Sequence, residues 1–290
     1  MQRNQKTLVV ISYYDRRPIH SLLALIRSIA DYPAGADFDL CIVVNKTKEK
    51  DLVLPGNYSH IPVTYRHNMG MNIGAWDYGW RVHSGYRDYL FLQDECYVIR
   101  AHWLAAFLKA SEDPDVGLVG ESMSKLWNRS WSELRHILQN DSLPEHSING
   151  KAVNRVDCYL NYFRENGVEP GMMGTHLRSV VWFLPGSVLK KIGGFLIGRN
   201  YGECIAAEIA TSKKVEQMSL RVTQVDYEEF SFIRHLEYNQ DYPGTPYAHD
   251  VKYVDYASVR RLLESKENEL WQLLKLKLFK LALGRVKRVP

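Results

Sequence analysis

Short apolar runs alternate along this chain with segments of helical periodicity, and that alternation leaves few folds open. Lys6–Ser12 reads as a buried strand, and Ile19–Ile29 continues as an apolar-periodic helix just after Pro18, a residue suited to a first helical turn. Phe38–Val44 and Val63–Arg66 read as further strands, Asn72–Val82 as a helix, and Tyr89–Leu92 as the strand that follows it. A helix over Ala101–Lys109 and strands over Val116–Val119 and Val180–Leu184 prolong the series. A crossover helix returns the chain in its original direction, so the expected class is α/β, a mostly parallel sheet flanked by helices. From about 121 to 170 the alternation stops. Two helices, Trp131–Leu138 and Ala152–Arg164, form a helical insertion there, preceded by Trp127. Tryptophans in such an insertion can stack on a sugar, but at helical spacing packing onto the domain is the preferred reading.

Composition narrows the classes further. With 290 residues, 46% of them apolar and 12% aromatic, the chain can bury a core of one large or two small domains. No apolar stretch approaches the roughly 20 residues that span a bilayer, and Leu8–Ile11 is too short for a signal-peptide core, so a cytoplasmic protein is expected. Cys41, Cys96, Cys158 and Cys204 include no Cys-x-x-Cys pair, which points to reduced, buried thiols, neither a zinc site nor a disulfide framework. The net charge of +4 is concentrated at one end: Glu267–Pro290 holds six basic and two acidic residues, the entire excess. A nucleic-acid binder spreads its cations over a docking face, so no nucleic-acid partner is expected. Within that end, Leu270–Leu283 is helix-forming with a broad apolar face, and Arg285, Lys287 and Arg288 follow. The expected organisation is a domain over 1–255 and a basic amphipathic C-terminal helix over 256–290. That helix either lies on a membrane surface, its lysines reaching the phosphates, or packs on its own domain or a second copy in a homo-oligomer.

The chemistry concentrates around two segments. Asp94 and Glu95 stand at the end of the apolar strand in Tyr89-Leu-Phe-Leu-Gln-Asp-Glu-Cys-Tyr-Val98, where an open α/β sheet places its ligands. Just before that strand runs Arg66-His-Asn-Met-Gly-Met-Asn-Ile-Gly-Ala-Trp-Asp-Tyr-Gly79. Paired carboxylates suit a hard cation, Mg2+ or Mn2+, which bridges diphosphate oxygens. Asn68, Gly70, Asn72 and Gly74 allow a close backbone approach to a ligand, and Arg66 supplies a permanent cation; the alternative is a tight turn with a helix N-cap at Asn72. A loop and an acidic turn sharing one ligand point to a nucleotide-sugar enzyme. Of Tyr13 and Tyr14 at the end of the first strand, one is expected to face the base, with Tyr13 the candidate, while Asp15 either contacts the base or caps the next helix. Asn45, after the second strand, can hydrogen-bond a nucleobase or ribose edge. His176 stands where it could touch sugar or phosphate.

In pattern, Thr7 to Val225 resembles the GT-A glycosyltransferases, in particular the inverting family 2 type that uses a nucleotide-sugar donor. Four segments carry the resemblance in the family's order. Leu8-Val-Val-Ile-Ser-Tyr-Tyr-Asp15 is similar to the opening strand, and Arg66–Gly79 to the Arg-Asn-x-Gly loop. Its Asn68–Trp76 portion is closer still to a variant found in rhamnan-synthesis glycosyltransferases. The acidic turn is the third segment, and Val181-Trp-Phe-Leu184, Ile192-Gly-Gly-Phe195 and a helix carrying Glu208 form the fourth. Two positions depart from the family: Gln93-Asp94-Glu95 replaces the common Asp-x-Asp, and Asn45 stands where Asp is usual.

The resemblance implies a GT-A (Rossmann-like) fold and inverting transfer from a nucleotide-sugar donor to a glycan or lipid-linked glycan acceptor in surface polysaccharide synthesis. It also implies a Mn2+ or Mg2+ cofactor. Glu95 would ligate that metal while Asp94 meets the ribose or the donor sugar, and His249 would be a late third ligand. Glu208 would deprotonate the acceptor, with Glu203 as the substitute. Two alternatives carry requirements of their own: a nucleotidyltransferase has a Gly-rich basic loop after the first strand, which Ser12-Tyr-Tyr-Asp-Arg-Arg-Pro18 is not, and a non-catalytic carbohydrate-binding protein has no need of Asp94, Glu95 and Glu208.

Overall fold

A computed structural model describes residues 6–140 and 146–238. They belong to the compact unit Met1–Leu236, apart from Glu237 and Tyr238, which open a second unit, Glu237–Pro290. The expected boundary at 255, His249 and the expected helix over 256–290 lie outside the described residues.

In chain order the elements are β1 (Thr7–Tyr14), α1 (Ile19–Asp31), β2 (Phe38–Lys46), β3 (Val63–His67), α2 (Met71–Val82), β4 (Asp88–Gln93) and β5 (Cys96–Val98). There follow α3 (Trp103–Ala110), β6 (Val116–Gly120), α4 (Trp131–Ile137), β7 (Ser147–Ile148), β8 (Lys151–Ala152) and α5 (Arg155–Glu165). The chain then forms β9 (Val181–Pro185), α6 (Gly186–Lys191), α7 (Tyr201–Glu216), β10 (Arg221–Gln224) and β11 (Ile233–His235). Seven strands make one sheet in the order β10-β6-β9-β4-β1-β2-β3. Only β9 runs against the others, between β4 and β6. The fold is therefore α/β, a mostly parallel sheet flanked by helices, as the alternation predicts.

Period-2 geometry divides the core between the two faces of the sheet. Leu8, Val10, Cys41 and Val43 point to the side covered by α2, α5 and α7. Val9, Ile11, Tyr13, Ile42 and Val44 point to the side covered by α1 and α3. With helices on both faces, Leu8–Ile11 in β1 is an unbroken, buried apolar run with no polar alternation. All four cysteines are buried thiols.

The insertion is helical, as expected, and its tryptophans pack. Trp127 and Trp131 are buried, Trp127 at 5.6 Å from Tyr159 and Trp131 at 5.7 Å from Phe163 between ring centres. Helix α4 opens with a capping box between Ser130 and Glu133. Helix α5 begins later than its periodicity suggests, because Ala152 belongs to the β7–β8 hairpin and Asn154 caps the helix through Val156 N.

Candidate active site

The parallel register sets Ser12 beside Gln93 and Tyr14 beside Asn45, so the carboxyl ends of β1, β2 and β4 share one edge of the sheet. Asp94 and Glu95 turn the chain from β4 into β5 at that edge. Asp94 is 3% exposed; its Oδ1 accepts from the Arg17 guanidinium at 3.2 Å, and the same guanidinium pairs with Glu95 Oε2. Asp94 Oδ2 is buried with no hydrogen-bond partner among the described residues. Burial pushes the Asp94 acid up to about 7, against the pull of Arg17 and with a further push from Glu95. His235, brought in on β11, sets Nε2 at 3.2 Å from Gln93 Oε1 and 3.8 Å from Glu95 Oε2. Burial, with Arg17 nearby, pushes that imidazole down to about 3, so the ring is neutral near pH 7. Two carboxylates on one turn, one with a buried and unsatisfied oxygen, fit a hard divalent cation. Among the described residues no third His, Cys, Asp or Glu completes a metal cluster with them.

The loop between β3 and α2 is held by its own side chains. Arg66 donates to Asn45 Oδ1 at 2.6 Å and to Met69 O at 2.7 Å, and Asn45 Nδ2 donates to Met71 O at 2.9 Å. Both ends of the buried Asn45 amide are thus engaged. A carboxylate there could accept from Arg66 but could not donate to Met71 O, so the position suits an amide. Gly70 caps α2 at a φ of 75°, and a Cβ at Gly74 would run into Met69 O and the Arg66 guanidinium. Asn68 is half-buried in the same loop.

Three expectations, those on Asn72, Tyr13 and Asp15, are corrected by these placements. Asn45, expected at a base or ribose edge, braces the loop. Asn72 is not the N-cap; it lies in the first turn of α2 and donates to Ser179 O at 2.6 Å. Tyr13 sits in the core among Val9 and Ile11, its hydroxyl donating to Arg17 O at 2.8 Å, so the half-buried Tyr14 is the tyrosine of the pair nearer the surface. Asp15 does not cap α1, whose N-cap is Pro18; its carboxylate accepts from Thr47 N at 2.6 Å, Thr47 Oγ1 at 2.6 Å and Lys48 N at 2.7 Å. Burial alone would raise the Asp15 acid, but these hydrogen bonds hold it below its ordinary value.

Glu208, on α7, is linked through a single serine to Gln93, the last residue of β4 before the acidic turn. Ser179 Oγ donates to Glu208 Oε2 at 2.7 Å, and Ser179 O accepts from Asn72 Nδ2 and Gln93 Nε2, each at 2.6 Å. Glu208 Oε1 lies 3.6 Å from His176 Nε2, while His176 Nδ1 lies 2.8 Å from Gly174 O and the ring packs edge-on to Trp127. Glu203 is not drawn in. It stands five residues earlier on another face of α7, where Arg199 binds it at 2.9 Å and, against the effect of burial, holds its acid below the ordinary value.

No family model matches the sequence, and no curated protein matches it. Solved structures do match in fold. The mannosyltransferase PcManGT from Pyrobaculum calidifontis, in complex with GDP-Man and Mn2+, has a TM-score of 0.45 at 13% identity over 76% of this chain and 54% of that one. The apo bifunctional glycosyltransferase WbbM gives 0.43 at 12% over 76% and 38%, and residues 1–349 of S. aureus TarS give 0.42 at 13% over 72% and 56%. The chain spans about half or less of the length of the structures it matches.

Three residues of the site escape the reading of the sequence. Arg17 follows the end of β1 and could have been found there, since the carboxyl ends of adjacent parallel strands share one edge. Ser179 and His235 carry no local signal: their roles come from the antiparallel entry of β9 and from the pairing of β11 with β5.

Proposed function

We propose that the chain is a glycosyltransferase moving a sugar, with inversion, from a nucleoside-diphosphate donor to a hydroxyl of a glycan or lipid-linked glycan. The observation that supports this reading most is the link Glu208–Ser179–Gln93, which ties a carboxylate able to accept a proton to the residue just before the Asp94–Glu95 turn. A divalent cation, Mn2+ or Mg2+, held by Asp94 and Glu95 would offset the charge developing on the leaving diphosphate. The rest of the chemistry falls to the chain's own groups. Ser179 fixes the plane of the Glu208 carboxylate by donating to Oε2, leaving Oε1, beside His176, for the proton. As the acceptor oxygen bonds to the anomeric carbon, Glu208 takes its proton and the sugar–phosphate bond opens on the opposite side, which inverts the centre. The Arg66–Asn45 brace keeps the Gly70 turn open to the donor.

The basic end of the chain fits a cytoplasmic enzyme drawn to an anionic membrane surface, where a lipid-linked acceptor would lie. Among the described residues no helix is long and apolar enough to cross a membrane.

A thermal-shift series with UDP, GDP and dTDP, each with and without Mn2+, tests the reading, because a ligand bound only to the fold raises its melting temperature. One nucleoside diphosphate is expected to stabilise the protein in the presence of Mn2+, and its sugar conjugate to be slowly hydrolysed. Stabilisation by none of them contradicts the proposal; stabilisation without hydrolysis or transfer leaves a non-catalytic binding protein.

A further inference from the structure

Arg17 touches both carboxylates of the acidic turn, and the proposed reaction leaves it unused. Its guanidinium reaches Asp94 Oδ1 at 3.2 Å and Glu95 Oε2, so it stands on the oxygens that would hold the metal. The Arg17 side chain is 31% exposed, against 4% for Asp94 and 12% for Glu95, so it is the member of the three most open to solvent. Its main chain is pinned at both ends, Arg17 N donating to Tyr14 O and Tyr13 Oη donating to Arg17 O, each at 2.8 Å. A side chain on a fixed base can swing without disturbing β1 or α1.

Charge decides which way it swings. One guanidinium serves two carboxylates here and leaves Asp94 Oδ2 with no partner. A divalent cation bound by the same oxygens would repel it, while a diphosphate offers the planar, doubly accepting edge that a guanidinium binds best. Resting on the proposed function, we infer that Arg17 is a donor-phosphate ligand held in waiting. It neutralises Asp94 and Glu95 in the empty site and transfers to the diphosphate when those carboxylates take the cation. Cation and diphosphate must then bind cooperatively, each strengthening the other by the same factor.

The test is calorimetric titration of the full-length protein with Mn2+, alone and with the nucleoside diphosphate that stabilises it. Arg17→Ala is expected to bind Mn2+ alone about tenfold more tightly than wild type, to bind the diphosphate about tenfold more weakly in Mn2+, and to lose most of the coupling. Arg17→Lys keeps the charge on the carboxylates and guards against a folding defect in the alanine variant; it is expected to bind Mn2+ alone as weakly as wild type yet hold the diphosphate less tightly. Weaker or unchanged Mn2+ binding in Arg17→Ala, or wild-type diphosphate affinity in both variants, would make Arg17 a structural ion pair and overturn the inference. If wild type binds Mn2+ but no nucleoside diphosphate, the functional proposal fails and Arg17 has no phosphate to take. Tighter Mn2+ binding in Arg17→Ala would then show only that it blocks the carboxylates.

Discussion

At the scale of single residues, the two candidate bases separate by their neighbours. Glu208 is aimed by Ser179, whereas Glu203 is bound by Arg199. Glu208→Gln keeps the size and removes the basicity, so turnover should fall by about two orders of magnitude or more with donor affinity unchanged, while Glu203→Gln should turn over near the wild-type rate. Steady-state kinetics beside donor titrations separate the two outcomes, and near wild-type turnover in Glu208→Gln would move the base elsewhere. Glu121 offers a pH-dependent test of burial. It is fully buried at the end of β6, with Oε1 accepting from Phe232 N at 3.2 Å and Ile233 N at 2.7 Å, and burial raises its acid from 4.5 to about 8. The unfolded chain loses this proton near pH 4.5 and the fold keeps it to about 8, so stability from this group is full below 4.5 and declines as pH rises to about 8. Glu121→Gln keeps the accepting oxygen, so denaturant titrations across that window should show a flatter slope than wild type. An unchanged slope would mean that Glu121 is charged in the fold. The helix that carries Glu208 was legible after Gly193-Gly-Phe195, and Tyr13 could have been assigned to the core from its alternation with Val9 and Ile11. The double engagement of Asn45 was not legible, because it depends on how Arg66 and Met71 fold back over the end of β2.

At the scale of elements, the β–α alternation located nearly every strand and helix of the sheet to within a few residues, because burial on both faces gives the central strands runs such as Leu8–Ile11 and Tyr89–Leu92. It did not reveal that β9 runs antiparallel or that β11 returns to β5. Those placements depend on where the insertion and the last loop bring the chain back, which no local pattern encodes. The turn into α2 was legible as a run of Gly and Asn, and its tightness can be tested. Gly74→Ala puts a methyl against Met69 O and the Arg66 guanidinium, so the loop must shift. A destabilisation of about 1–3 kcal/mol by chemical denaturation and weaker donor binding are expected. Wild-type stability together with wild-type affinity would show that the loop yields freely and does not shape the donor site.

At the scale of the whole molecule, the charge is split between a balanced body and a basic end. Each Lys or Arg close to an anionic surface contributes about 1 kcal/mol, so the net charge of Glu267–Pro290, with Trp271 and Phe279, should give reversible, salt-sensitive binding to anionic liposomes. Truncation after Ser265 should abolish sedimentation with the liposomes and leave activity on a soluble acceptor unchanged; loss of folding or of oligomeric state instead would mark the segment as a packing element. The central claim is that the turn ending β4 holds a metal-bound nucleoside diphosphate. Its most direct test is calorimetric titration of the stabilising nucleoside diphosphate, in Mn2+, into wild type, Glu95→Ala and the surface control Glu112→Ala. The account predicts binding to wild type and the control alike, with affinity reduced at least tenfold in Glu95→Ala, about 1.4 kcal/mol or more. Equal, metal-dependent affinity in all three proteins would contradict it.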